Sequence, residues 1–306
     1  MKKLMSLILL LLFNCSGKTS SEATTFDSGR AFSHVEKLVS YGPRSVGSEG
    51  HARALQYIDD ELKVRPLDVE HQTFDAITPA GTLKMVNVIA RQRNSANPVI
   101  VFASHYDTLT SDQFTFVGAN DGGSSTGLLL ELAGVLASRK SDFQYWFVFF
   151  DGEEAIRQWS DLDSLYGSRE MVRRLKGSGD LSRIKAFILL DMIGDRNLNI
   201  RRDSSSTGWL NDLFWDTAAR GNYSGFEPAS QYVMDDHTPF LMEGIPAIDL
   251  IDFDYGPGNV YWHTPADTLD KVSAESLRQV GEVVIKTLPA VEDNLRKTIR
   301  PRVRPE

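Results

Sequence analysis

YWFVFFDGEEAIRQW, residues 145–159, opens on six apolar or aromatic side chains in a row and then turns acidic at Asp151, Glu153 and Glu154. A strand with one wet face alternates. A strand with no polar position is buried on both faces, the habit of parallel sheets covered by helices. Similar runs recur in NPVIVFASHYD (97–107), IKAFILLDMIGD (184–195) and IPAIDLIDF (245–253), and KMVNVIAR (84–91) reads as a strand adjacent to the first of these.

Helical patterns alternate with these strands. DSGRAFSHVEKLVSYG (27–42) has Asp27 as a cap and Gly42 past its end, and GSEGHARALQYIDDELK (47–63) follows it. SSTGLLLELAGVLASR, SLYGSREMVRRL, LNDLFWDTAAR and the long SAESLRQVGEVVIKTLPAVEDNL fall between or after the later strands. The expectation is a single α/β domain over residues 26–298, with a mostly parallel central sheet and helices on both faces. No linker or internal repeat interrupts it.

The bulk composition fits that reading. The 306 residues are 42% hydrophobic and 24% charged, enough for a sizeable core, and the formal net charge of −8 leaves no basic stripe for a nucleic acid. The first fifteen residues, MKKLMSLILLLLFNC, pair Lys2 and Lys3 with an apolar run too short to remain in a bilayer, which reads as a secretory leader. The chain's only cysteine, Cys15, closes a lipobox-like LFNC, so it is the expected lipid-attachment site, with a flexible tether over 16–25 and a tail over 299–306. The expectation is an exported, periplasmic or outer-membrane lipoprotein of a bacterium, monomeric and touching the membrane only through its lipid. A mature chain without a thiol has neither disulfide nor cysteine nucleophile.

In open α/β sheets ligands bind beyond the carboxyl ends of the strands. Those ends carry His105, Glu153, Glu154 and Asp191; Asp121 precedes a helix, and a glycine-rich loop leads to His263. Two imidazoles and three carboxylates, His105, Asp121, Glu154, Asp191 and His263, are the usual donors for one or two zinc ions. Each alone has a plainer use as a cap, a turn or a hydrogen-bonded strand end; their coincidence on one sheet edge does not. Glu153 and Glu154 suggest a division of labour, one ligating and the other free as a general acid or base.

YGPRSVGSEG, SHYD, ANDGGSSTG, FDGEEA, LLDMIGD, DDHTPFLMEGIPAIDLIDF and WHTPADTLDKV together resemble the zinc aminopeptidase superfamily over nearly the whole mature chain. DGEEAIRQWSDLDSLYGSRE, DDHTPF and YWHT are similar to its glutaminyl-cyclase (glutaminyl-peptide cyclotransferase) branch. The resemblance implies one Zn2+ per chain on Asp121, Glu154 and His263, with Glu153 as the catalytic acid/base. It implies a carboxylate network of Asp191 and Asp235, pocket walls from Trp159 and Trp262, and substrates that are peptides or proteins with an N-terminal glutamine. Nothing mirrors the paired cysteines of some animal cyclases. Two alternatives stay open. One is a two-zinc aminopeptidase in which His105 and Asp191 complete a second site bridged by Asp121; the other is a metal-free binding lipoprotein.

Overall fold

The uninterrupted apolar runs form the middle of a six-stranded sheet. The structure is a computed structural model that describes residues 25–94 and 96–299. The leader with Cys15, nearly all of the tether and residues 300–306 of the tail lie outside the described residues. The strands are β1 (Leu67–Thr78), β2 (Gly81–Gln92), β3 (Val99–His105), β4 (Gln144–Phe150), β5 (Ile184–Asp191) and, in the same sheet, β8 (Ala247–Ile251). Their order is β1-β2-β4-β3-β5-β8. The pairs β4–β3, β3–β5 and β5–β8 are parallel, while β1–β2 and β2–β4 are antiparallel. KMVNVIAR and NPVIVFASHYD are therefore not neighbours: β4 lies between them. Nothing in a strand's own composition reports which strand it pairs with.

Every residue of β3 and β4 is buried, as the lack of alternation requires. On one face Val88, Ile100, Phe102, Phe147, Phe149, Ile188 and Leu250 meet the helices α1 (Ser28–Val39), α2 (Glu49–Lys63), α3 (Gly123–Leu136), α5 (Gly208–Gly221) and α7 (Ala274–Ile299). On the other, Ile89, Val101, Trp146, Val148, Phe150 and Phe187 meet α4 (Tyr166–Ser178) and α6 (Thr238–Met242). Adjacent residues of one strand thus serve opposite cores, the period-two geometry of a pleated strand. Asp27 caps α1 by accepting from the backbone N–H groups of Gly29 and Arg30.

Three strands appear that the sequence patterns did not announce. β1 pairs along its whole length with β2 as a hairpin at the sheet margin, and β6 (Ile200–Asp203) and β7 (Phe226–Gln231) form a separate two-stranded parallel ribbon. No helix among the described residues is long and apolar enough to cross a membrane.

Candidate metal centre

The parallel strands end on one edge of the sheet, and the polar side chains collect there. His105 and Asp191 are the last residues of β3 and β5, and Glu153 and Glu154 follow β4 by three and four positions. Asp121 lies just before α3, and His263 on the loop after β8.

Two glycines make this edge possible. Gly122 has φ +70°, and a Cβ there would fall 2.8 Å from the Asp107 carbonyl oxygen and 2.9 Å from the His105 ring. Gly152 has φ +67°, with Met85 Sδ only 2.5 Å from a Cβ position. Both sites need the left-handed region, and at Gly122 backbone also blocks a side chain, so glycine stands directly beside Asp121 and Glu153. Met192 (φ 47°) and His263 (φ 52°) also occupy that region without being glycine, a strain that packing around a functional edge must hold in place.

Backbone clamps fix the acids. The buried Asp107 carboxylate accepts the Glu153 and Glu154 N–H groups, at 3.2 Å each. The Asp267 carboxylate likewise accepts from Asn120 (2.8 Å) and Asp121 (3.1 Å), and from the Tyr255 hydroxyl (2.7 Å). Arg44, wholly buried, donates to the carbonyls of Tyr106, Val117, Gly118 and Asp121, pinning the loop that delivers Asp121. None of these three was assigned a role from sequence. All three sit inside the motifs that carry the resemblance, but the partners they hold are chiefly backbone groups, which leave no residue-type signal.

Two groups of donors share Asp121. In the first, His263 Nε2 lies 3.2 Å from Asp121 Oδ2 and 3.3 Å from Glu154 Oε1. In the second, His105 Nε2 lies 3.3 Å from Asp121 Oδ1 and 3.1 Å from Asp191 Oδ1. Tetrahedral zinc with bonds of about 2.0–2.1 Å holds its ligand atoms about 3.3 Å apart, so both spacings suit such an ion. Asp121 Oδ2 is buried and has no aligned hydrogen-bond donor, an orphan that a cation would satisfy. The Asp121–Glu154–His263 group therefore fits a metal.

The charges here balance poorly without one. Burial pushes the Glu154 carboxyl up to about 7, with the Asp121 charge adding to it. Burial also carries Glu153 well above the ordinary glutamate range, assisted by Asp235, Glu154 and Asp236 and opposed by His105. Asp235 is raised by burial and by the charges of Asp191 and Asp236. Burial alone would lower His263 and His105, but their carboxylate neighbours win: His263 rises to about 10 and His105 well above 6.5. Protons on imidazoles and carboxyls are the metal-free protein's substitute for a cation.

A cavity of about 320 Å³ opens onto this edge. Asp121, Glu153, Glu154, Asp191, Asp235 and His263 line it, together with Trp159, Trp262, Met192, Val233, Ile251 and Phe253. Trp262 stacks on the His263 ring, with centroids 4.1 Å apart, and meets Phe253 edge-on. Trp159 is 40% exposed at the margin. His105 does not reach the cavity; it lies behind Asp121. Glu153 and Glu154 do not diverge as residues of a strand would, because β4 has ended at Phe150 and both line the cavity.

The chain matches the model of peptidase family M28 over residues 87–288. The crystal structure of a glutaminyl cyclase from an Acidobacteriales bacterium is 41% identical, covers 89% of this chain and 96% of its own, and superposes with a TM-score of 0.84. A glutaminyl-peptide cyclotransferase of Drosophila melanogaster is 31% identical over 74% of this chain and 70% of its own length. A leucine aminopeptidase precursor from Bacteroides thetaiotaomicron is also similar, at 25% identity over 87% of this chain and 97% of its own, with a TM-score of 0.78.

Proposed function

The chain belongs to peptidase family M28, on its glutaminyl-cyclase branch, and from there we propose that it converts the N-terminal glutamine of peptides or proteins to pyroglutamate at one zinc ion, releasing ammonia. One observation carries the reading. The Asp121–Glu154–His263 donors open onto a tryptophan-walled cavity of about 320 Å³, with Glu153 beside them.

Asp121, Glu154 and His263 would hold the ion, which when bound would polarise the glutamine γ-carbonyl as a Lewis acid. Trp159, Trp262 and Phe253 enclose the side chain and fold it back toward its own α-amine. That orientation supplies much of the rate, because attack within one residue needs no second reactant. The amine nitrogen bonds to the γ-carbon as the bond to the amide nitrogen breaks. Glu153 takes one proton from the amine and returns it to the departing nitrogen, which leaves as ammonia. Its raised proton affinity suits a group that must hold a proton briefly near neutral pH. Asp191 or Asp235 receives the amide nitrogen, and the Asp235 charge helps keep Glu153 basic by repulsion. The apolar walls keep out water that would compete with the amine.

The intact His105–Asp121–Asp191 group favours a second reading, a two-zinc aminopeptidase in which water between the metals attacks the first peptide bond. Mass spectrometry separates the two. The purified protein should convert a glutamine-initial peptide to a product lighter by one ammonia, leave a leucine-initial peptide intact, and hold one zinc. Free leucine and two zincs per chain would install the aminopeptidase. In the cell we place the enzyme as an exported lipoprotein anchored at Cys15; Cys15→Ser should free it from the membrane fraction, and unchanged fractionation would exclude the anchor.

A further inference from the structure

Among the described residues the Asp235 carboxylate is held by nothing outside its own loop: Oδ1 accepts the adjacent Asp236 N–H at 2.5 Å, and the Asp235 backbone N–H reaches the Thr238 hydroxyl at 3.3 Å. Its Oδ2 is buried without a hydrogen-bond donor among the described residues, and it stands among Asp191, Asp236 and Glu153, which repel it. An acid in that setting keeps its place only if its backbone is held from outside the site.

The segment Val233–His237, with Asp235 at its centre, is held at both ends by one side chain. Asp203, wholly buried at the end of β6, accepts the Val233 N–H on Oδ1 at 3.1 Å. Its Oδ2 faces His237 Nε2 at 3.2 Å, and the same nitrogen lies 3.0 Å from the Ser205 hydroxyl, so the ring is tied to Asp203 both directly and through Ser205. Because the Ser205 hydroxyl and the Ser206 N–H and hydroxyl already donate to Oδ2, His237 completes a carboxylate saturated with donors. Such a carboxylate is a fixed, ionised anchor. His237 is itself wholly buried, so its ring cannot swing away to solvent. The β6–β7 ribbon sets the anchor relative to the loop: Asp203 is in register with Gln231, two residues before Val233.

We infer that Asp203 is a positioning residue for cyclisation, fixing the loop that aims Asp235 into the cavity through Val233 and His237. The inference rests on the reading that Asp235 serves the reaction. Asp203 touches neither the metal-binding donors nor the cavity itself, but Val233, which it holds, lines the cavity; its effect should therefore fall on turnover, and to a lesser degree on KM, and not on metal binding.

The test is steady-state kinetics on a glutamine-initial peptide, with zinc content measured on each purified protein. Asp203→Asn should lower kcat by about 10²-fold, the scale of a small misplacement transmitted to the reacting centre, with a smaller change in KM and with zinc content as in the native enzyme. Combined with Asp235→Asn it should cost nothing further, since the two act as one unit. A kcat of native size, or losses that multiply in the double variant, would overturn the inference. If Asp203→Asn does not fold, His237→Leu removes one donor and leaves the carboxylate. It should show the same kcat loss and the same failure to multiply, and His237→Gln, which restores an N–H, should recover part of it. A native rate in His237→Leu would overturn the clamp. Asp235→Asn at native rate would instead remove the underlying reading, whereas a slow Asp235→Asn beside a fast Asp203→Asn would remove the clamp alone.

Discussion

The two donor groups that share Asp121 are built from nearly the same residue types and differ in everything around them. His263 stands at the cavity wall with 24% of its side chain exposed, held in place by stacking on Trp262. His105 is 1% exposed, hydrogen-bonded through Nε2 to Asp191, with Nδ1 3.6 Å from Asp107. The first imidazole is reachable and its carboxylates face a space where a substrate carbonyl could arrive. The second is sealed among carboxylates that already use it as their counter-charge. Ligand type alone therefore does not distinguish the two groups as seats for a catalytic ion; access favours the first.

The largest effects should come from breaking that contrast. His263→Ala should abolish zinc binding and reduce cyclisation to background, because it deletes one of three protein donors and the group has no spare. His105→Gln should keep one zinc per chain. Equal zinc loss in both variants, or two zincs in the native protein, would erase the distinction between the groups.

Next in size is Glu153→Gln. The amide keeps the volume and leaves Asp121, Glu154 and His263 untouched, so zinc should remain while kcat falls about 10²–10⁴-fold. Zinc lost in parallel with activity would make Glu153 a ligand instead of the proton carrier.

Most of the framework of the candidate metal centre could be read from sequence because β3, β4, β5 and β8 lie inside the protein and carry one polar residue apiece before they end. A chemically active side chain at the end of such a run stands out. β1 gives no such signal: LDVEHQTFDAIT sits at the sheet margin, mixes charge with apolar residues, and buries only some positions. β7 reads as loop because FEPASQ contains Pro228 and is largely exposed. Strand order depends on how helices pack, a long-range matter that no local pattern contains. Asp203 was invisible for another reason. In IRRDSSS it looks like any polar turn, and its donors at Val233 and His237 come from the far side of α5 and β7.

Metal affinity should depend on pH, with a sign fixed by the protons the metal displaces. In the metal-free protein His263 is raised to about 10 and Glu154 to about 7, so both must lose protons to ligate. Affinity should therefore rise with pH: about tenfold per unit between 7 and 9, where of these two ligands His263 alone is still protonated, and more steeply below 7, where Glu154 releases a second proton. Chelator competition across that range measures the slope. A flat profile would mean that His263 is not a ligand, and a slope well above two protons would implicate the His105 group as well.

The smallest effect tests what holds the exposed ligand. His105 is oriented by hydrogen-bonded carboxylates, but His263 Nδ1 has no such partner among the described hydrogen bonds, and the Trp262 ring stacks on it at a 22° interplanar angle. Phe116 adds an edge contact at 5.8 Å. An aromatic pair contributes about 0.5–1.5 kcal/mol beyond the area it buries, which corresponds to a factor of about 2–12 in binding. Trp262→Ala should therefore weaken zinc affinity by about that factor as the imidazole gains freedom, and should raise KM because the same ring walls the cavity. Trp262→Phe should recover much of the zinc affinity, since a flat ring still covers His263, while recovering less of KM because it leaves the cavity wider. If Trp262→Ala changed KM and left zinc affinity untouched, the ring would be a substrate wall only, and the strained backbone at His263, φ 52°, would be holding the ligand by itself.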